Sequence, residues 1–386
     1  MTHGGAWLTA TDVLVSQANQ LLGASYQLYR NSKTNDTIIR TVGYALPAVL
    51  HTHIQAVAPT TYFSPTREMR QTPRRRSFGA AHAQAAPGNL VTARAGQAAQ
   101  LTVKPSLLRW IYETEGYTPK AIDRNKLAVV GFGDEFPSQQ DLNRFLNEFD
   151  TAAVGTTFTV EQVNGGRYDE ESPGEQANTD VQYAGTLAFP TPLTFYSAGG
   201  GQDPGPGDGV LELLHFFLDQ PEVPQTITIS YSFGDEKRVP EEYARILCNT
   251  FAVLGTRGAS VLVPSGNHGV GDGTCEDGNG NIRFIPEFPS SCTCGVSSSN
   301  RDPSASTSRS THHYGFTGPW VTSIGGTTGL NIEAAASISG GGFSSYFLRP
   351  EYQEIAVPKF LRDYLGNKYQ NRYRCVRYRD LAFSYL

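Results

Sequence analysis

Three short stretches carry acid, amide and glycine residues at spacings that hydrolytic chemistry uses. Gln176 and Asp180 are four residues apart in a segment with helical character, so both side chains would lie on one face of a helix. Asn267 lies in a glycine-rich turn, where an amide N–H can stabilise an oxyanion by ~3–4 kcal/mol. The structural alternatives are a solvated acid for Asp180, an ordinary turn residue for Asn267 and a flexible loop for the glycines of 340–342.

Glu175 and His268, which adjoin the candidate residues, are alternative candidates for catalytic roles. Glu175 lies one position from Gln176 and therefore about 100° away around a helix. Together with Ser172 as N-cap and Pro173 at the first helical position, it fits a capping box better than a catalytic site. His268 follows Asn267 and could act as the base of a Ser-His-Asp triad, but the order of motifs offers it no partner.

The elements that would position these residues alternate between strands and helices from residue 126 onward. Apolar runs predict strands at 126–131, 193–196, 226–230, 259–264 and 320–324. Amphipathic or capped segments predict helices at 137–149 with Ser138 as N-cap, about 173–188, 210–218, and from Pro240 to Gly255. Such alternation favours an α/β fold with a mostly parallel sheet and helices on both faces. Functional sites then form at the carboxyl ends of the strands.

The first 64 residues read as a smaller α+β unit. The pattern predicts strands at 6–10, 26–29 and 37–44 and a helix at 16–23 that ends at a glycine. Residues 65–101 lose periodicity and contain Arg74-Arg75-Arg76, which predicts a linker with either a processing site or a solvated basic loop.

Six motifs in order resemble the sedolisin family of serine-carboxyl peptidases, especially its fungal tripeptidyl-peptidases. They occupy residues 15–24, 226–231, 263–271, 284–292, 321–327 and 339–344. The resemblance implies a partial activation propeptide at 1–64, an incomplete subtilisin-like peptidase domain at 102–370 and an unmatched tail at 371–386.

In this family a glutamate takes the proton of a serine nucleophile, an aspartate couples to that glutamate, and a second aspartate binds the oxyanion. The resemblance puts Asp180 at the coupling position, Gln176 at the glutamate position and Asn267 at the oxyanion position. An amide at 176 cannot accept a proton, which would remove catalysis of roughly 10²–10⁴-fold. An amide at 267 donates at any pH and so relaxes the need for acid.

The resemblance also implies a wall along which a peptide substrate lies as a strand. This wall consists of Ser230, Tyr231, Ser232, Gly340, Gly341 and Gly342. The family's nucleophile lies in a Gly-Thr-Ser segment, and no such triplet occurs in the sequence. The family's calcium ligands lie beyond that serine, so calcium is implied but its ligands are missing and no metal site is predicted. Residues 293–318 and the tail suggest retained intron sequence.

These features lead to three functional hypotheses. The first is a serine-type peptidase (a tripeptidyl-peptidase or an endopeptidase) that works at acid pH, although this polypeptide is expected to be inactive. The second is a non-catalytic peptide-binding relative, and the third is a non-functional gene-model fragment.

Composition bounds these hypotheses. A net charge of −5 without a long basic face argues against nucleic-acid binding, and no apolar run is long enough to span a membrane. No secretory signal is recognisable at the start, yet the resemblance implies an extracellular protein, a monomer with a peptide or protein substrate. Five cysteines leave at least one without an intrachain partner, and Cys248, Cys275 and Cys292 are disulfide candidates.

Overall fold

The computed structural model describes residues 8, 10, 12–30, 32, 37–51, 53–54, 56–63, 103–133, 135–199, 206–270, 284–292, 320–328, 334–347, 349–365 and 383–384. Several sequence predictions lie outside these residues. They are most of the strand at 6–10, residues 293–318, the tail except for residues 383–384, and the linker with its three arginines.

The N-terminal unit contains a short helix and a hairpin. Helix α1 (Val15–Leu22) ends at Gly23, whose φ of 53° is left-handed, as the sequence predicted. Strands β1 (Gln27–Arg30) and β2 (Thr37–Arg40) pair in antiparallel register, with Leu28 opposite Ile39. The last part of this unit packs against the main body: Tyr62 is buried and its ring stacks on Tyr243, with ring centroids 4.8 Å apart.

Six parallel strands form the central sheet, in the order β4-β5-β3-β6-β7-β8. They are β3 (Leu127–Phe132), β4 (Phe158–Val163), β5 (Leu193–Ala198), β6 (Thr226–Ile229), β7 (Ser260–Pro264) and β8 (Thr322–Ile324). The helices of this region are α2 (Pro105–Ile111), α3 (Gln139–Phe149), α4 (Glu175–Ala188), α5 (Pro206–Asp219) and α6 (Glu241–Thr256). The predicted α/β class is therefore confirmed.

Helices cover both faces of the sheet because β3 is apolar on both sides. Val129 packs with buried residues of α3 and α4, including Leu146 and Val181. Its neighbour Val130 packs into the larger core cluster with residues of α5 and α6, such as Leu214. Alternate side chains of one strand thus enter two cores, which is the pattern of a buried parallel sheet.

One of the two predicted helix caps is confirmed, and the other is wrong. The Ser138 hydroxyl accepts from the Asp141 backbone N–H at 3.3 Å, which confirms the predicted N-cap of α3. The capping box predicted for α4 is wrong, because the helix begins at Glu175 with Gly174 as N-cap and no side-chain cap. Glu175 is therefore the first helical residue rather than the third.

Shorter elements follow the sheet. Two antiparallel pairs are β9 (Thr327–Thr328) with β10 (Ala334–Ala335), and β11 (Gly342–Phe343) with β12 (Phe383–Ser384). Helix α7 (Ala356–Phe360) continues into a π-helical turn, Leu361–Leu365. A disulfide joins Cys248 in α6 to Cys292. Among the described residues, no helix has the length and apolar character needed to cross a membrane.

Candidate active site

Helix α4 brings Gln176 and Asp180 to the carboxyl end of the sheet. The Gln176 side-chain N–H donates to Asp180 Oδ1 at 2.8 Å, so the spacing of four residues produces the contact that the sequence predicted. The Ser230 hydroxyl, just after β6, also donates to Asp180. Helix and substrate wall therefore meet at this one carboxyl group.

The pKa of Asp180 is raised from 3.8 to about 6. Burial is the largest cause, since it disfavours the ionised form. The hydrogen bonds from Ser230 and Gln176 lower the pKa, and the charge of Glu135 raises it. The Asp180 carboxyl group is thus poised to change its protonation state in mildly acid solution.

Glu135 was missed by the sequence analysis. Its carboxylate accepts from the Ala177 backbone N–H at 3.4 Å, in the first turn of α4. It also lies so close to Gly174 that a Cβ there would be 1.9 Å from Oε2. An anion at a helix N-terminus is favourable, so Glu135 takes the place of the predicted capping box. Its partners are about forty positions away, beyond the reach of any local pattern.

A second corner of the site forms where β7 ends. Asn267 is exposed and follows Gly266, whose φ of 108° requires a glycine. The backbone is fixed on both sides: the Ser265 N–H donates to Ile324 O at 2.8 Å and the Gly269 N–H to Ile338 O at 2.8 Å. We refer to residues 265–267 as the Asn267 corner. His268 is exposed beside it, and its use as a base stays the disfavoured alternative.

The predicted substrate wall has two parts. From Ile227 to Phe233, buried residues alternate strictly with half-buried ones, which puts Ser230 and Ser232 on one face and Tyr231 on the other. The Tyr231 ring packs into the core against Phe132, with centroids 5.2 Å apart. We call residues 230–232 the serine wall.

The glycines form the other part of the wall and pack closely against the protein itself. A Cβ on Gly340 would be 1.8 Å from Ser265 O, and one on Gly342 would be 2.6 Å from Pro286 N. Gly341 is half-buried, whereas the other two are buried. Backbone of the protein itself therefore packs against Gly340 and Gly342, which leaves Gly341 as the one half-buried member of the three.

Two further buried carboxyl groups, Glu236 and Glu287, lie behind the walls. Glu236 accepts from the Ser344 hydroxyl at 2.5 Å and from the Ser345 N–H at 2.6 Å. Burial, the main cause, raises its pKa from 4.5 to about 7. Glu287 belongs to the motif at 284–292, where its acidic character among Pro and Phe was an overlooked signal, whereas Glu236 lies outside the six motifs.

The predicted calcium has no ligand set in this part of the chain. Among the described residues, no three His, Cys, Asp or Glu side chains converge as a metal site would require. The turn at 272–280, which contains Asp272, Glu276 and Asp277, lies outside the described residues. Calcium therefore remains implied by the family resemblance alone, and no chemistry is assigned to it.

Comparisons with known proteins find similar sequences over most of the chain. A family model described as "Pro-kumamolisin, activation domain" matches residues 1–63. Tripeptidyl-peptidase SED2 of Arthroderma otae is 31% identical over 382 residues, which are 95% of this chain and 58% of the relative. Probable tripeptidyl-peptidase SED2 of Arthroderma benhamiae is 31% identical, covering 92% of this chain and 57% of the relative. This chain thus spans just over half the length of the curated relatives it matches.

Among solved structures, one similar chain is Pseudomonas sedolisin, a serine-carboxyl proteinase complexed with two molecules of pseudo-iodotyrostatin. It is 17% identical with a TM-score of 0.43, and the match covers 66% of each chain.

Proposed function

We propose that the chain belongs to the sedolisin family of serine-carboxyl peptidases and that it binds peptides in an extended conformation between the serine wall and the Asn267 corner. We further propose that it hydrolyses them poorly or not at all, since an amide occupies the position of the general base. The relatives it matches are named tripeptidyl-peptidases, so peptides with free N-termini are the first substrates to test.

The contact between Gln176 and Asp180 carries this proposal. The Gln176 amide donates to Asp180, and a neutral amide has no basic site to take a proton from a hydroxyl nucleophile. Loss of a positioned base costs roughly 10²–10⁴-fold in rate. The hydrogen bond keeps the side chain on the cleft-facing side of α4, so the geometry of the site is kept while its basicity is lost.

Binding itself does not depend on that base. The serine wall continues the direction of β6 beyond its last residue, Ile229, and Gly341 offers a half-exposed backbone without a side chain. Such edges accept a peptide as an added strand. Asn267 is exposed and can donate its amide to a peptide carbonyl oxygen.

The disulfide supports the proposed location outside the cell. Cys248 and Cys292 are both fully buried and joined to each other, and such bonds persist in oxidising compartments rather than in the cytosol. We therefore propose that the protein acts in the extracellular space, as a monomer on peptide or protein substrates.

The experiment uses the 386-residue chain and a short fluorescein-labelled peptide, with anisotropy for binding and mass spectrometry for cleavage. We expect saturable binding in mildly acid buffer with the peptide left intact. Gly341→Val should weaken binding by about tenfold or more, whereas Gly255→Val should not, because Gly255 is exposed with nothing within 4 Å of its Cβ position.

Gln176→Glu tests the base directly, with Gln182→Glu as the matched change elsewhere on α4. Any cleavage should appear with Gln176→Glu only. Absence of binding by the wild-type chain, or efficient cleavage that Gln176→Glu leaves unchanged, would overturn the proposal.

A further inference from the structure

Strands β6 and β7 separate where the candidate site opens. Their last paired residues are Thr228 and Leu262, so the serine wall and the Asn267 corner extend past the ladder without sheet hydrogen bonds between the two strands. Ligands of parallel sheets bind beyond the carboxyl ends of the strands. The width of the opening between the serine wall and the Asn267 corner depends on the contacts that connect them.

Glu287 contacts both sides of this opening. It is 5% exposed, and its Oε2 accepts a hydrogen bond from the Ser232 hydroxyl of the serine wall. Its Oε1 lies against Gly266, where a Cβ would be only 1.9 Å away. Gly266 directly precedes Asn267, so the carboxyl group fills the space between the wall and the corner.

The backbone that carries Glu287 is itself held in place. The Phe233 N–H donates to Phe288 O at 2.7 Å and the Phe288 N–H to Gly234 O at 2.9 Å. The Ser290 hydroxyl donates to the carbonyl oxygen of Glu287 at 2.7 Å. The carboxyl group of Glu287 therefore extends from a segment of backbone that is held in place by hydrogen bonds.

We propose that Glu287 is a positioning residue that sets the distance between the serine wall and the Asn267 corner. This inference rests on the proposed peptide cleft for its functional consequence. The structural part of the inference, that Glu287 is a strut between the serine wall and the Asn267 corner, does not depend on that cleft. The role requires the length of the side chain and an acceptor oxygen for Ser232, both of which glutamine also provides.

The first measurement needs no ligand. Hydrogen exchange of the Gly269 amide, which is bonded to Ile338 O, reports on the corner. We expect Glu287→Ala to accelerate this exchange by about tenfold, with the amides of β3 unchanged. Glu287→Gln should stay within about threefold of wild type. Glu148→Ala, at an exposed position of α3, is the matched control.

The second measurement is affinity for the labelled peptide at the same pH. Glu287→Ala should weaken it by about tenfold and Glu287→Gln should restore most of it. If Glu287→Ala does not fold, Ser232→Ala removes the hydroxyl end of the same contact and should change the exchange of Gly269 in the same direction.

Unchanged exchange at Gly269, uniform acceleration across the sheet, or a Glu287→Gln variant as impaired as Glu287→Ala would each overturn the proposal. If the wild-type chain binds no peptide, the proposed function fails, and the exchange data still decide whether Glu287 is the strut.

Discussion

Replacing Glu236 with glutamine should change how the stability of the chain depends on pH. The folded state raises the pKa of this carboxyl group from 4.5 to about 7, chiefly through burial. Since the folded pKa lies above the unfolded value, the contribution of Glu236 to stability is fully present below about pH 4.5 and is lost as the pH rises through about 7. At about 1.4 kcal/mol for each unit of pKa, the loss is about 3 kcal/mol.

The groups that face Glu236 do not reverse this sign. Hydrogen bonds from Ser344 and Ser345 lower the pKa without overcoming burial, and the charge of Asp235 raises it. Tyr346 is also close: burial first, and then Glu236, raise the pKa of its phenol to about 12, so it stays neutral in the range of interest.

The assay is urea unfolding of the wild-type chain and Glu236→Gln, followed by intrinsic fluorescence between about pH 4 and 8. Wild type should lose stability toward neutral pH, and the variant should lose about 3 kcal/mol less. Glu148→Gln, on the exposed face of α3, should parallel wild type. A Glu236→Gln curve that falls as steeply as that of wild type between about pH 5 and 8 would refute the reasoning.

Three further predictions concern stability at a fixed pH. Gly131→Ala should destabilise the chain by about 1–3 kcal/mol, because its Cβ would be 2.4 Å from Cζ of Phe195; Gly255→Ala, in open space, should be close to neutral in the same denaturant titration. Ser138→Ala should cost about 1 kcal/mol through loss of the α3 N-cap, and Ser138→Asp should recover it; equal stability of both variants would count against the cap. Reducing the Cys248–Cys292 disulfide, which closes a separation of 44 residues, should cost about 2–4 kcal/mol, seen as a lower urea midpoint with reductant than without.

The sheet was predictable where strands are apolar on both faces. The run Leu127–Phe132 is buried at every position, so composition alone indicated it. Strand β4 was missed because its six residues are mostly half-buried or exposed at the sheet edge, and they include Glu161 and Gln162. An edge strand with polar residues lacks the apolar signal on which the prediction depended.

The site was predictable only where its contacts are local. The spacing of Gln176 and Asp180 gave their contact, because a helix brings residues four apart together. By contrast, Glu236 bonds to Ser344 across 108 residues and Glu287 to Ser232 across 55. Contacts of that kind arise from strand order and crossover, which local patterns do not encode. The catalytic and substrate roles assigned to these positions stay predictions.

The stacking of Tyr62 on Tyr243 has a consequence for any proteolytic maturation of the chain. Tyr62 lies within the stretch that matches an activation-domain model, yet its ring belongs to the main hydrophobic core. Cutting the backbone between residues 63 and 103 would leave the Tyr62 ring buried in this core. Re-exposing an aromatic side chain of this size to water costs about 4 kcal/mol. Release of the N-terminal piece after cleavage would therefore have to overcome this contact, which opposes dissociation without preventing it.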